Sequence, residues 1–71
     1  MKKIGKITKY NNEYGEITTA NEIVDFSKKD ISNEESNEET INIYDIVEFR
    51  LESKFPNIYI ARNIKKIDFN D

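Results

Sequence analysis

The chain is predicted to be an all-β protein, a small five-stranded antiparallel barrel with one short helical turn after the third strand. Short runs of alternating apolar and polar residues recur along its 71 residues and are separated by polar turns. A period of two is typical of half-buried strands. No apolar pattern of helical spacing is long enough for a stable helix. A chain of this length forms one domain, and five short strands bury their apolar faces most simply by closing into a barrel.

The first two strands are predicted within residues 5–18, on either side of a polar turn at 11–13. By simple alternation, the side chains on the solvent face are Lys6, Thr8 and Tyr10 from the first strand and Tyr14, Glu16 and Thr18 from the second. Ile7 and Ile17 then point toward the core. The hairpin is therefore expected to present two tyrosines and a lysine to solvent, with a glutamate in the same surface.

The middle of the chain is predicted to contain a strand at 22–26, after a turn at 19–22, and then one helical turn at 27–31. Ser27 is placed to cap this turn, with Asp30 as its capping-box partner three residues later. Residues 33–40 contain four glutamates and no apolar residue. This composition favours a flexible acidic loop that splits the chain into two β-rich halves, and an acidic regulatory segment is the alternative.

The last two strands are predicted from the second half of the chain. Val47, Phe49 and Leu51 alternate with charged residues, as expected for a half-buried strand. A turn is predicted at 53–57, because Pro56 cannot donate a ladder hydrogen bond. The final strand is then expected at 58–67.

The composition excludes several classes of function. The chain has no cysteine and no histidine, which excludes disulfides, zinc sites of the usual kind and histidine-based catalysis. No phosphate-binding glycine loop or catalytic acid pair is recognisable, so we expect neither enzyme activity nor a cofactor or metal. The net charge is −3, and setting aside the four loop glutamates leaves ten acids against eleven bases. The sequence contains no signal peptide or membrane span, and we expect a cytoplasmic monomer without membrane attachment.

Five segments resemble a known family in the right order. Segment 5–11 reads Gly-Lys-Ile-Thr-Lys-Tyr-Asn, and segment 14–18 reads Tyr-Gly-Glu-Ile-Thr. Segment 22–27 reads Glu-Ile-Val-Asp-Phe-Ser, and shorter pieces lie at 47–49 and 61–64. These resemble the opening strand, the two RNA-binding motifs, the fourth strand and the closing segment of the bacterial cold-shock proteins. The resemblance implies an OB-type Greek-key barrel that binds single-stranded nucleic acid.

The resemblance also implies a set of binding residues, which the chain keeps only in part. Aromatic residues remain where the family stacks bases, at Tyr10, Tyr14 and Phe26, and Lys6 keeps a cation near the phosphates. Other positions are replaced: Lys9 stands for a tryptophan, Glu16 and Ile23 for phenylalanines, and Asp25 for a histidine. The predicted nucleic-acid-binding residues are Lys6, Lys9, Tyr10, Tyr14, Phe26 and Lys28.

Weak binding of single-stranded RNA or DNA, with little sequence preference, is the function these residues predict. Each lost stacking ring removes roughly 1–3 kcal/mol per base, and two added carboxylates repel phosphates. The alternative is a protein-interaction barrel that has lost nucleic-acid binding, in which Glu16 and Asp25 recognise a basic partner. A predicted cluster of Tyr44, Phe55 and Tyr59 would then offer a second apolar surface. A third possibility is a barrel whose fold survives without a nucleic-acid role. For Tyr10 and Tyr14, the alternative to base stacking is a cross-strand pair that only shields the hairpin backbone.

Overall fold

The computed structural model of the protein describes residues 2–32 and 41–67. Over these ranges the chain forms five strands and a 3-10 turn: β1 (Lys2–Tyr10), β2 (Tyr14–Thr18), β3 (Ile23–Ser27), the 3-10 turn Lys28–Asp30, β4 (Ile46–Phe55) and β5 (Ile58–Lys66). The predicted acidic loop at 33–40 lies outside the described residues, so its flexibility stays a prediction.

The five strands close into a barrel in the order β1-β2-β3-β5-β4, with β4 returning to β1. The predicted all-β barrel, with its helical turn after the third strand, is confirmed. Because β5 lies between β3 and β4, the order is not sequential, which is the Greek-key element of the prediction and is consistent with an OB-type barrel. The contact between β3 and β5 is parallel, at Asp25 and Ile60, and the pairs β1–β2, β1–β4, β2–β3 and β4–β5 are antiparallel.

Strand β1 is long enough to pair with two neighbouring strands, β4 and β2. Its first half pairs with β4 and its second half pairs with β2. Gly5 pairs with Val47 of β4 and also lies close to β2. A Cβ atom at this position would stand 2.5 Å from Cγ2 of Ile17 and 3.0 Å from the carbonyl oxygen of Thr18. Only glycine allows this approach, which lets β1 coil from one neighbour to the other.

The core is formed by alternate residues of the strands, as the apolar pattern predicts. Ile7 and Ile17 lie directly opposite each other on β1 and β2 and are both fully buried. Val47 and Phe49 of β4 are buried in the same way. The buried apolar residues of the described chain are Ile7, Ile17, Val24, Phe26, Ile41, Val47, Phe49, Ala61 and Ile64.

The predicted cap of the 3-10 turn is confirmed. The carboxylate of Asp30 accepts hydrogen bonds from the Ser27 backbone nitrogen, at 2.9 Å, and from its hydroxyl, at 3.2 Å. Asp30 is buried, and its Oδ1 lies 3.6 Å from Nε of Arg62 on β5. Both bonds to Ser27 are local in sequence, which explains why the sequence could predict them.

The turn between β4 and β5 is shorter than predicted. Ser53 still pairs with Tyr59, and β4 continues as far as Phe55. The turn is formed by Pro56 and Asn57 alone, with Asn57 at a φ of 73°. A type II turn favours proline at its first central position and a residue with positive φ, such as asparagine, at its second. Of the two polar residues before Phe55, Ser53 stays in the ladder, and Lys54 falls at a register shift between Ser53 and Phe55.

Candidate nucleic-acid interface

A β-bulge in β1 changes which side chains reach the solvent face. Ile7 lies opposite Ile17, but the next pair in register is Lys9 with Glu16, so Thr8 is the extra residue. The prediction that Tyr10 shares the outer face with Thr8 is therefore wrong, because a bulge shifts the alternation by one residue. Lys9 takes the outer position opposite Glu16.

Tyr10 instead lies opposite Gly15 and covers the ring of Phe26. The two ring centroids are 5.4 Å apart at an interplanar angle of 34°. A Cβ at Gly15 would stand 2.5 Å from Cζ of Phe26, so the ring fills the space that the glycine leaves open. Burial in this contact raises the pKa of the Tyr10 phenol above its ordinary value of 10.0. Tyr10 is half-buried, with part of its ring still facing outward.

The assignment of Phe26 as a base-stacking residue is corrected by this packing. Its side chain is only 3% exposed and belongs to the core. A base needs a free ring face to stack on, and Phe26 has none in this arrangement. Phe26 instead packs against the Tyr10 ring from the core.

The turn between β1 and β2 holds Tyr14 in place. The side-chain oxygen of Asn11 accepts hydrogen bonds from the backbone nitrogens of Glu13 and Tyr14, each at 2.9 Å. The carbonyl oxygen of Glu13 accepts a third from the backbone nitrogen of Lys28, at 2.8 Å, which ties the turn to the 3-10 turn. Tyr14 leaves this fixed turn with 67% of its side chain exposed. It is the more accessible of the two predicted tyrosine platforms.

An open groove of about 570 Å³ brings most of the predicted site together. Lys9, Tyr10, Tyr14 and Phe26 all line it. Lys6 and Lys28 do not: Lys6 lies opposite Thr18 on the outer face, and Lys28 follows Ser27, the residue opposite Tyr14. These two lysines therefore lie beside the groove, one on β1 and one at the Tyr14 end.

Ile43 also lines the groove and was not predicted. It is 44% exposed and belongs to the segment that leads into β4. This segment is held against the middle of β1 by two backbone hydrogen bonds, from Tyr44 to the carbonyl of Ile7 at 2.6 Å and from Ile7 to the carbonyl of Asp45 at 2.9 Å. Ile43 is far from the first hairpin in sequence, and only barrel closure brings it there.

Two carboxylates lie in the groove beside the aromatic rings. Glu16 and Asp25 are direct partners across β2 and β3, and both line the groove. Within residues 2–32 and 41–67, neither side chain makes a hydrogen bond or an ion pair. Like charges placed directly opposite each other destabilise a sheet. The groove therefore has cations on its β1 side and uncompensated acids on its β2–β3 side.

The lysines of the described chain fall into two groups. Lys2, Lys3 and Lys66 pair with Glu48, Glu22 and Asp45, at 3.8, 3.1 and 3.6 Å. By contrast, the predicted site lysines Lys6, Lys9 and Lys28 have no acidic partner among the described residues. Lys29, Lys54 and Arg50 share this property, so a missing partner does not by itself mark the site. It does leave the charges beside the groove available to a ligand.

The predicted second apolar surface is described only in part. Tyr44 and Tyr59 are 72% and 50% exposed, while the side chain of Phe55 lies outside the described part of the chain. Tyr44 is held next to Ile7 of β1, and Tyr59 lies in the β4–β5 hairpin opposite Ser53. The clustering of the three rings stays a prediction.

No protein-family model matches the chain, and no curated protein matches it significantly. The resemblance to the cold-shock family therefore stays a prediction. Across the described ranges no helix has the length and apolar character needed to cross a bilayer. The same residues contain no group of three or more side chains suited to hold a metal ion.

Proposed function

We propose that the protein is a divergent cold-shock-like barrel of the cytoplasm that binds single-stranded RNA or DNA weakly and with little sequence preference. One observation carries the proposal. A single groove collects the exposed ring of Tyr14, the partly exposed ring of Tyr10 and the ammonium group of Lys9. Lys6 and Lys28 lie beside it. Stacking rings next to unpaired cations are the two elements of sequence-tolerant single-strand binding.

The stacking surface is small. The backbone of Tyr14 is held by the Asn11 side chain, and the Tyr10 ring packs against the buried ring of Phe26. With roughly 1–3 kcal/mol per stacked base, two rings give about 4 kcal/mol in total. That free energy corresponds to a Kd near ~1 mM. Glu16 and Asp25 repel phosphates and oppose tighter binding.

The cations give the binding a defined salt dependence. Each phosphate contact to a single strand contributes a slope of about −0.7 in a plot of log K against log salt concentration. Contacts from Lys6, Lys9 and Lys28 then give a slope near −2. Replacing one of the three lysines by alanine is expected to make the salt dependence shallower, with a slope about 0.7 closer to zero.

An NMR titration with a short single strand tests the proposal. Backbone amide shifts would be followed at low and at moderate salt. We expect shifts at Tyr10 and Tyr14 that weaken with salt, and a loss of affinity in Tyr14→Leu, which keeps apolar bulk but removes the ring. Tyr59→Leu is the matched control, since Tyr59 is an exposed strand tyrosine on the β4–β5 hairpin. Absence of any shift at millimolar oligonucleotide would exclude nucleic-acid binding.

The second candidate is a protein-interaction barrel, which the exposed isoleucines favour. Ile4, Ile23 and Ile58 are strand residues with 59%, 64% and 50% of their side chains exposed. Exposed apolar strand residues are common at protein contacts, and Glu16 and Asp25 would attract a basic partner. Under this alternative, the oligonucleotide titration leaves every amide unshifted.

A further inference from the structure

The two groove carboxylates repel each other across β2 and β3 and are free to contact a ligand. Glu16 and Asp25 face each other across neighbouring strands, and neither is neutralised by a described residue. The like-charge pair destabilises the sheet, and only Glu16 also faces a cation, Lys9, on its other neighbouring strand. Both side chains lie in the space that a base stacked on Tyr14 or Tyr10 would enter.

The charges of the groove define how a strand would lie in it. Lys9, Glu16 and Asp25 form one row across β1, β2 and β3, because each is the register partner of the next. Neighbouring strands are about 4.8 Å apart, so the row spans about 10 Å from cation to second acid. A phosphate is attracted to the Lys9 end and repelled from the Asp25 end. A base stacked on Tyr14, which is two residues from Glu16 on the same face of β2, then has the carboxylates within the same groove.

We propose that Glu16 and Asp25 make the groove select bases that carry an exocyclic amino group over uracil and thymine. The inference rests on the proposed function and narrows its low sequence preference at one point, because three of the four bases in RNA or DNA carry the amino group and remain accepted. An ionised carboxylate can only accept hydrogen bonds. Cytosine, adenine and guanine each offer an amino donor, whereas uracil and thymine present a carbonyl oxygen at the position of the cytosine amino group. Uracil and thymine keep one ring donor on this edge, the N3–H, but it lies between two carbonyl oxygens, and both of these acceptors are repelled by a carboxylate.

Cytosine and uracil form a matched pair of ligands for the test. They share the same ring size and differ at this one edge, so stacking on Tyr14 is nearly constant between them. We would measure the affinities of a deoxycytidine hexamer and a deoxyuridine hexamer at neutral pH. One hydrogen bond to a charged acceptor contributes enough to make the cytidine strand about tenfold tighter.

Conservative variants assign this preference to the two side chains. Glu16→Gln and Asp25→Asn keep the shape but add an amide donor that accommodates the uracil carbonyl. The double variant is expected to bring the two affinities within about twofold of each other, mainly through tighter deoxyuridine binding. Glu48→Gln is the control for each single variant: it removes one negative charge, as Glu16→Gln or Asp25→Asn does, but on β4, where Glu48 pairs with Lys2 outside the groove. It should leave the preference intact.

The outcomes separate the inference from the proposed function. A cytidine preference that the double variant removes and the control keeps supports the inference. Equal binding of both hexamers to the wild-type protein, or tighter uridine binding, overturns it while nucleic-acid binding stands. A preference that survives in the double variant also overturns the assignment to these carboxylates. If neither hexamer shifts any amide, the proposed function fails and the inference fails with it.

Discussion

Gly15→Ala is expected to destabilise the barrel at the point where the groove meets the core. The added Cβ would stand 2.4 Å from the carbonyl oxygen of Lys9 and 2.5 Å from Cζ of Phe26. Neither neighbour can easily move away. The carbonyl belongs to the backbone of β1 at its bulge, and the Phe26 ring is held between Gly15 and Tyr10.

The magnitude follows from two opposing effects. Forcing one extra carbon into a packed core costs about 1–3 kcal/mol. Because the new carbon would meet both the Lys9 carbonyl and the Phe26 ring, we expect a cost of about 3 kcal/mol at this site. Alanine also restricts the unfolded chain, which offsets about 0.4–1 kcal/mol. The net loss is about 2 kcal/mol, and in a domain of this size each kcal/mol lowers Tm by about 4–8 °C. We therefore expect Tm to fall by about 8–16 °C.

Urea and thermal unfolding, followed by far-ultraviolet circular dichroism, measure this loss. The Phe26→Leu background separates the two obstructions, because leucine vacates the position of Cζ while the Lys9 carbonyl stays in place. There the cost of Gly15→Ala should shrink by about 1 kcal/mol, the coupling typical of residues in contact. A Gly15→Ala protein as stable as the wild type would contradict the close packing of Phe26 over this glycine.

Three further predictions concern a phenol, the core and the groove. Burial raises the pKa of the Tyr10 phenol above 10.0. The contribution of this group to stability is therefore complete below that pH and is lost as pH rises through the folded-state pKa. In Tyr10→Phe, the fall of the urea midpoint at alkaline pH should be shallower than in the wild type. Phe49→Ala empties a site that is 1% exposed and costs about 3–5 kcal/mol, enough to unfold much of the protein by circular dichroism, whereas exposed Arg50→Ala should keep the wild-type spectrum. Glu16→Phe combined with Asp25→His adds two stacking rings and, at the lower limit of about 1 kcal/mol per ring, should tighten single-strand binding by about thirtyfold in the NMR titration; an unchanged affinity would place the binding surface elsewhere.

The strands and their caps could be predicted because their signals are local. Alternation over a few residues identifies the inward direction of Ile7 and Ile17, and the Ser27–Asp30 spacing identifies the cap. The all-β class and the helical turn follow from the same short-range patterns.

The composition of the groove could be predicted only in part, because three of its features depend on how the strands pair and pack. The bulge at Thr8 reverses the direction of Tyr10, and no alternation pattern contains it. The family resemblance gives Phe26 a base-stacking role, but its ring fills the space above Gly15. Ile43 reaches the groove from a distant segment. Each of these requires knowledge of which strands become neighbours.

The closing contact between β3 and β5 gives the barrel a seam. The two strands meet in register at Asp25 and Ile60, and a further bridge joins Ile31 to Ile64 beyond the end of β3. Local opening starts where hydrogen bonding between elements is sparsest. When this seam parts, β3 and β5 become free edges able to pair with another chain. Asp25 belongs both to this seam and to the groove. Its negative charge therefore opposes pairing of another strand with the β3 edge that opening would expose.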